Sequence, residues 1–226
     1  MYEKPRLFVD MDGTLAEWRN IKIVIERDED ANHDYVMQRL DDVLYSSRYY
    51  YRLRPQQNVV DAVKNIIRSG EIEVFVLSCV KPDARGESPL RDKNEWLDKY
   101  LPEIDNEHRI FVPDGENKRN YIPGGVRVTD ALLDDYTKNL REFAGGNPPG
   151  ITIKLYNHIN SSHKTYAGSA VSCIMTPATI SAGISTVVIS EGREEIRHDE
   201  PDKDRTPISD RDYLAGLKAL EDIDNE

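Results

Sequence analysis

Leu7, Phe8 and Val9 form a short apolar run without alternation, and the run ends on Asp10 and Asp12, one residue apart. An apolar run of strand length with no polar face reads as a strand buried on both sides, as in a parallel sheet covered by helices. Aspartate is a poor strand former and seldom buried unless paired. Two of them at the end of such a strand, followed at once by Gly13-Thr14, need an offsetting partner.

The same rhythm repeats along the chain. After the strand at 6–10, "NVVDAVKNIIRSG" (58–70) places Val59, Val63, Ile66 and Ile67 at helical spacing and stops on Gly70. "IEVFVLS" (72–78) reads as a strand and "DKNEWLDKYLP" (92–102) as an amphipathic helix. "RIFV" (109–112) is a third strand, and "RVTDALLDD" (127–135) holds a fourth, again ending in paired carboxylates. "TKNLREFAGG" (137–146) is a helix with a glycine stop, and "ITIKLY" (151–156) is a fifth strand. Alternating strands and helices predict an α/β fold, a Rossmann-like parallel sheet flanked by helices.

Two regions break the rhythm. Residues 17–55 separate the first strand from its helix and contain a helical stretch, "YVMQRLDDVLY", and an aromatic one, "YYYRLRP". An insertion at the carboxyl end of a strand lies where open α/β sheets bind ligands, so on position it reads equally as a small helical cap over a site or as a decorated loop. The second region begins near 157. It has small-residue, strand-like text, "AVSCIMTPATISAGISTVVIS", then a charged linker at 191–206 and a short helix in "SDRDYLAGLKAL". The expected division is a core of 1–16 and 56–160, a cap of 17–55, and a C-terminal extension of 161–226.

Composition narrows the function. The 226 residues carry a formal net charge of -11, which disfavours a nucleic acid polymer as partner. The longest apolar stretches are strand-sized, so no membrane span is expected. Two distant cysteines, Cys79 and Cys173, and an N-terminus without an apolar leader fit a reducing cytoplasm.

In a parallel sheet the carboxyl ends of the strands share one edge. Asp10, Asp12, Ser78, Lys118, Asp134 and Asp135 therefore converge, although the chain separates them widely. Carboxylates crowded there repel unless a cation is bound, and hard oxygen donors suit Mg²⁺. Ser78 and Lys118 suit a phosphate, and Gly13 allows the tight turn that lets nearby N–H groups face an anion. Taken singly, each residue reads as a turn, a helix-capping charge or solvated surface; taken together, they mark the ends of successive strands. Asp130, four residues before Asp134, leaves a second acidic spacing open.

"DMDGTLAEW", "VFVLS", Lys118 and "ALLDDYTKNL" resemble, in order, the four motifs of the haloacid dehalogenase-like phosphohydrolase superfamily (HAD). "DKNEWLDKYLPEI", "RIFVPDGENKRNYI", "LLDDYTKNLREF" and "GITIKLYNHIN" resemble the 5'(3')-deoxyribonucleotidase family and its bacterial and phage relatives, over roughly residues 5–160. The resemblance implies Mg²⁺-dependent hydrolysis of nucleoside monophosphates through an aspartyl-phosphate. Asp10 would be the nucleophile and Asp12 the general acid, then base. Mg²⁺ would be held by Asp10, the Asp12 carbonyl, Asp134 and Asp135. Gly13, Thr14, Ser78 and Lys118 would hold the phosphoryl group.

In the resembled family the cap selects the nucleoside. Trp18, Tyr45, Tyr49, Tyr50 and Tyr51 are then the candidates to stack on the base, and consecutive tyrosines face different ways, so the pattern does not choose among them. The alternatives are a HAD phosphatase of another small phosphoester, such as a sugar phosphate, or a non-catalytic nucleotide-binding protein on the same fold. The expected partner is a small-molecule nucleotide, with a homodimer left open.

Overall fold

A computed structural model describes residues 4–18, 33–160 and 166–190. Six strands form one sheet: β1 (Arg6–Val9), β2 (Glu73–Val80), β3 (Arg109–Pro113), β4 (Ala131–Asp134), β5 (Ile151–Tyr156) and β6 (Ser169–Ser172). The order is β3-β2-β1-β4-β5-β6 and every pairing is parallel. Helices α1 (His33–Leu44) and α2 (Tyr49–Arg52) fall between β1 and α3 (Gln57–Ser69). They are followed by α4 (Pro89–Tyr100), α5 (Thr137–Ala144) and α6 (Pro177–Ile189). This is the expected α/β, Rossmann-like architecture with helices inserted after the first strand.

The central strands β1 and β4 are buried along their whole length because both faces are covered. Leu7, Val9, Val76, Leu133 and Ile153 point into a large core shared with Val59, Val63 and Ile66 of α3 and Trp96 and Leu97 of α4. Phe8, Leu77 and Leu132 point the other way, against Leu140 and Phe143 of α5. Burying such side chains on both sides is the main driving force for the sheet, at about 25 cal/mol per Å² of apolar surface.

The stretch 170–190, read from its small and β-branched residues as strand-like, is a strand only at 169–172; Pro177–Ile189 is a helix. Thr176 caps it, its hydroxyl accepting from the Thr179 N–H at 3.2 Å, and Pro177 occupies the first turn, where no N–H is needed. Ile180, Ile184 and Val188 recur every four residues and are fully buried. Packing against α3 overrides their strand propensity. β6 extends the sheet beyond β5. The charged linker at 191–206 and the helix expected after it lie outside the described residues, as do parts of the insertion.

The insertion is pinched at its base. Gln56 N–H donates to Leu15 O at 2.7 Å and Glu17 N–H to Arg54 O at 2.7 Å, so the chain leaves and re-enters at one point beside β1. The Trp96 indole N–H donates to Leu53 O at 2.8 Å, tying the returning chain to α4.

Candidate active site at the carboxyl ends of β1 and β4

Strand order runs outward in both directions from the β1–β4 pair, so the crevice at their carboxyl ends is the topological switch point of the sheet. Asp10 follows β1 and Asp134 ends β4; the Asp10 N–H donates to Leu133 O at 2.9 Å, which holds the two ends level. Carboxylate oxygens of Asp10, Asp134 and Asp135 lie within 4.8 Å of one another.

Lys118 sits between two of them. Its ammonium donates to Asp10 Oδ1 at 2.6 Å and Asp134 Oδ2 at 2.8 Å. Burial works against its charge, but Asp10 and Asp134 outweigh it and raise the lysine above its ordinary value. Asp134 is fully buried and also accepts from the Tyr136 N–H at 2.7 Å and the Asn139 amide at 2.9 Å. Burial still pushes its carboxyl up, against the pull of Lys118.

Asp135 differs. Its Oδ2 accepts from the Asn157 amide at 2.9 Å, and its backbone carbonyl accepts from Lys154 and Asn160. Among the described residues, no ammonium or guanidinium group forms an ion pair with its carboxylate. Burial, then Asp134 and Asp10, push its pKa well above the usual carboxylate range. Asp10, Asp134 and Asp135 make a hard-oxygen donor set with an uncompensated member, and such a set fits a divalent cation of the Mg²⁺ type.

Gly13 and Thr14 shape this corner. Gly13 has φ +80°, and a Cβ there would stand 2.3 Å from Asp135 Oδ2. Its N–H donates to Ala16 O at 2.9 Å, and its carbonyl accepts from Gln56 and Asn157 amides at 2.8 and 2.7 Å. Thr14 is fully buried; its hydroxyl accepts from the Asp135 N–H at 3.1 Å and its own N–H donates to Met11 O. The Gly13 and Thr14 N–H groups are bonded within the turn itself, to Ala16 O and Met11 O, while the Thr14 hydroxyl holds Asp135 against it.

Asp130, the alternative acid, sits at the other end of β4. It is fully buried and bonded to Arg6 at 3.0 Å through Nε, and to Arg127. It is a structural anchor remote from the carboxyl ends.

Sequence reasoning missed Lys93. This α4 side chain is fully buried and donates to Asp12 Oδ2 at 2.6 Å, Ser78 Oγ at 3.1 Å and the Cys79 carbonyl at 2.7 Å. The opposite oxygen, Asp12 Oδ1, is buried and has no hydrogen-bond partner. Burial, with help from Asp10, pushes Asp12 up although Lys93 pulls it down. The sequence signal was a lysine among apolar positions on the inner face of an amphipathic helix.

A cavity of about 530 Å³ opens onto these groups. Asp10, Asp12, Lys118 and Asp135 line it together with Trp18, Tyr136 and Asn139. Of the expected aromatic candidates only Trp18 lines it. Tyr49 and Tyr50 are buried, packed on each other and on Trp18 with ring centroids 5.3 to 6.3 Å apart. The Tyr45 hydroxyl donates to Pro82 O at 3.0 Å, and Tyr51 lies under Arg48 and Lys99.

No protein-family model matches the chain. Proteins of two Staphylococcus epidermidis strains, each provisionally named a 5'(3')-deoxyribonucleotidase, are 25% identical to it over 160 residues, covering 63% of this chain and 80% of theirs. This is a distant likeness. No helix among the described residues is long and apolar enough to cross a membrane.

Proposed function

We propose that the protein is a Mg²⁺-dependent phosphomonoesterase acting on nucleoside monophosphates, with deoxyribonucleotides the favoured class. The observation that carries this reading is the Asp10–Asp134–Asp135 oxygen cluster with Lys118 inside it, at the switch point of a parallel sheet. The provisional names of the distant relatives support the nucleotide as substrate.

Mg²⁺ bound by Asp10, Asp134 and Asp135 would neutralise phosphoryl charge and fix its orientation. The chain's own groups do the rest. An Asp10 oxygen attacks phosphorus, forming an aspartyl-phosphate as the ester P–O bond breaks. The leaving oxygen takes a proton from Asp12, whose carboxyl burial pushes up from its ordinary value against the pull of Lys93. Asp12 then accepts a proton from water as the water oxygen attacks phosphorus and releases Asp10 with inorganic phosphate. Lys118 steadies Asp10 for the attack, and Lys93 fixes the Asp12 carboxyl in place through Oδ2.

Asp10→Asn tests the reading. The amide keeps the shape and removes the nucleophile, so hydrolysis of both an aryl phosphate and a nucleoside monophosphate should fall to background while circular dichroism stays native. Mg²⁺-dependent turnover surviving in this variant would reject Asp10 as nucleophile. A wild-type protein that hydrolyses aryl and sugar phosphates but discriminates against nucleotides would favour the sugar-phosphatase alternative.

A further inference from the structure

Recognition of a base needs a flat face within reach of the phosphate site, and the described tyrosines of the insertion do not offer one to the cavity. The aromatic side chains that line it are Trp18 and Tyr136. Tyr136 directly follows Asp134 and Asp135. Its N–H donates to Asp134 Oδ1 at 2.7 Å, so its backbone is fixed to the acidic cluster, yet its side chain is 59% exposed.

The residue also breaks a local rule. It is the N-cap of α5 and makes no side-chain cap bond, at a position where Ser, Thr, Asp or Asn would satisfy an open N–H. A large apolar ring standing in water at an uncapped helix start gains nothing for folding. Such local conflicts concentrate at functional positions. The cavity's volume of about 530 Å³ is that of a small-ligand site.

The amides near the site add a second constraint. Asn160 donates to Asp135 O and Leu155 O, and the Asn139 amide to Asp134, so both are already engaged in holding the acids. Asp114, Glu116 and Glu142 also line the cavity and disfavour additional phosphate groups.

We propose that Tyr136 is a specificity-determining residue whose ring stacks on the nucleobase, with Trp18 as the neighbouring aromatic wall, so that the site takes nucleoside monophosphates with little regard to which base they carry. This rests on the nucleotidase reading above. Stacking tolerates any base because every base offers a π-face, whereas edge-reading amides would discriminate.

The test compares kcat/KM for four deoxynucleoside monophosphates with that for deoxyribose 5-phosphate, which has the same phosphoester and no base. Wild-type protein should prefer all four nucleotides, within a narrow range of one another. Tyr136→Ala should lower the nucleotide-to-sugar ratio by roughly 5- to 150-fold, mainly through KM, and Tyr136→Phe should restore the ratio because only the ring face is needed. Three results overturn the proposal. If wild type discriminates and Tyr136→Ala keeps the full ratio, the platform lies elsewhere while the nucleotidase reading stands. If Trp18→Ala alone abolishes the ratio, Trp18 is the platform. If wild type shows no preference for nucleotides over deoxyribose 5-phosphate, the nucleotidase reading fails and the platform with it.

Discussion

The Lys93 ammonium lies 2.6 Å from Asp12 Oδ2 across 81 residues of chain, and the lysine is fully buried. It therefore couples the docking of α4 on the sheet to the orientation of a carboxylate two residues from Asp10. The Tyr50 ring covers the ammonium at 5.1 Å, so α2 takes part in the same contact.

Lys93→Met should destabilise the fold and impair catalysis together. Removing one member of a buried ion pair leaves the other uncompensated, at roughly 3–5 kcal/mol. The Asp12 side chain retains 24% exposure, which places the cost at the lower end, about 3 kcal/mol. Urea unfolding measures it. Because the two residues contact each other, adding Asp12→Asn to Lys93→Met should cost less than the sum of the single changes. Strict additivity would show that the pair does not act as a unit.

Asp135→Asn should separate stability from cation binding. The carboxylate of Asp135 is disfavoured by burial and by Asp134 and Asp10. Without a divalent cation at neutral pH, the neutral amide should be better tolerated, by about 1 kcal/mol or ~2–4 °C in melting temperature for a domain of this size. Added Mg²⁺ should raise the melting temperature of wild type well above that of the variant. If Mg²⁺ stabilises both proteins equally, Asp135 is not among its ligands.

The sheet was legible because its central strands β1 and β4 are buried on both faces, which leaves apolar runs with no alternation, and because Gly70 and Gly145 mark helix ends. The carboxylates were legible because aspartate at a strand end conflicts with local preference. Lys93 was not, since a lysine inside an amphipathic helix reads as a flexible side chain reaching for solvent. Only the fold reveals that Asp12, Ser78 and the Cys79 carbonyl stand there to accept its hydrogen bonds. The roles of Tyr49 and Tyr50 were left open by the sequence. Aromatic composition near a site does not tell whether a ring faces the ligand or the core, and Tyr136 lay outside the insertion where aromatic rings were sought. Residues 177–189 misled because β-branched side chains favour strands locally, while the surface offered by α3 rewards a helix.

Tyr50→Ala should act on stability rather than on choice of substrate. The ring is 4% exposed and packs on Tyr49 with centroids 5.3 Å apart. Truncating a buried aromatic costs about 3–5 kcal/mol. Differential scanning calorimetry should show a large drop in melting temperature. Below the variant's transition, the preference for a nucleotide over an aryl phosphate should persist. Loss of that preference in a folded Tyr50→Ala variant would return the base contact to the insertion.

His108 gives a pH dependence remote from the acidic cluster. Its Nδ1 lies 2.6 Å from Asp105 Oδ1 and its Nε2 3.4 Å from Glu73 Oε1, and its ring packs on Phe75 with centroids 4.7 Å apart. The hydrogen bond to Asp105 raises the imidazole above its ordinary value of 6.5, and the same bond lowers Asp105 below 3.8. A histidine raised by folding stabilises the native state fully below its unfolded value, and the contribution fades as pH rises through the folded one. A carboxylate lowered by folding contributes above its unfolded value and loses that contribution as pH falls through the folded one. The pair therefore stabilises the fold between these limits, through the mildly acidic range. His108→Phe keeps a ring against Phe75 and removes the charge. Wild type should melt above this variant at about pH 5, and the gap should close by about pH 9, where the imidazole is neutral in both states. A gap that stays constant across that range would mean that ring packing, and not the ion pair, is what His108 supplies.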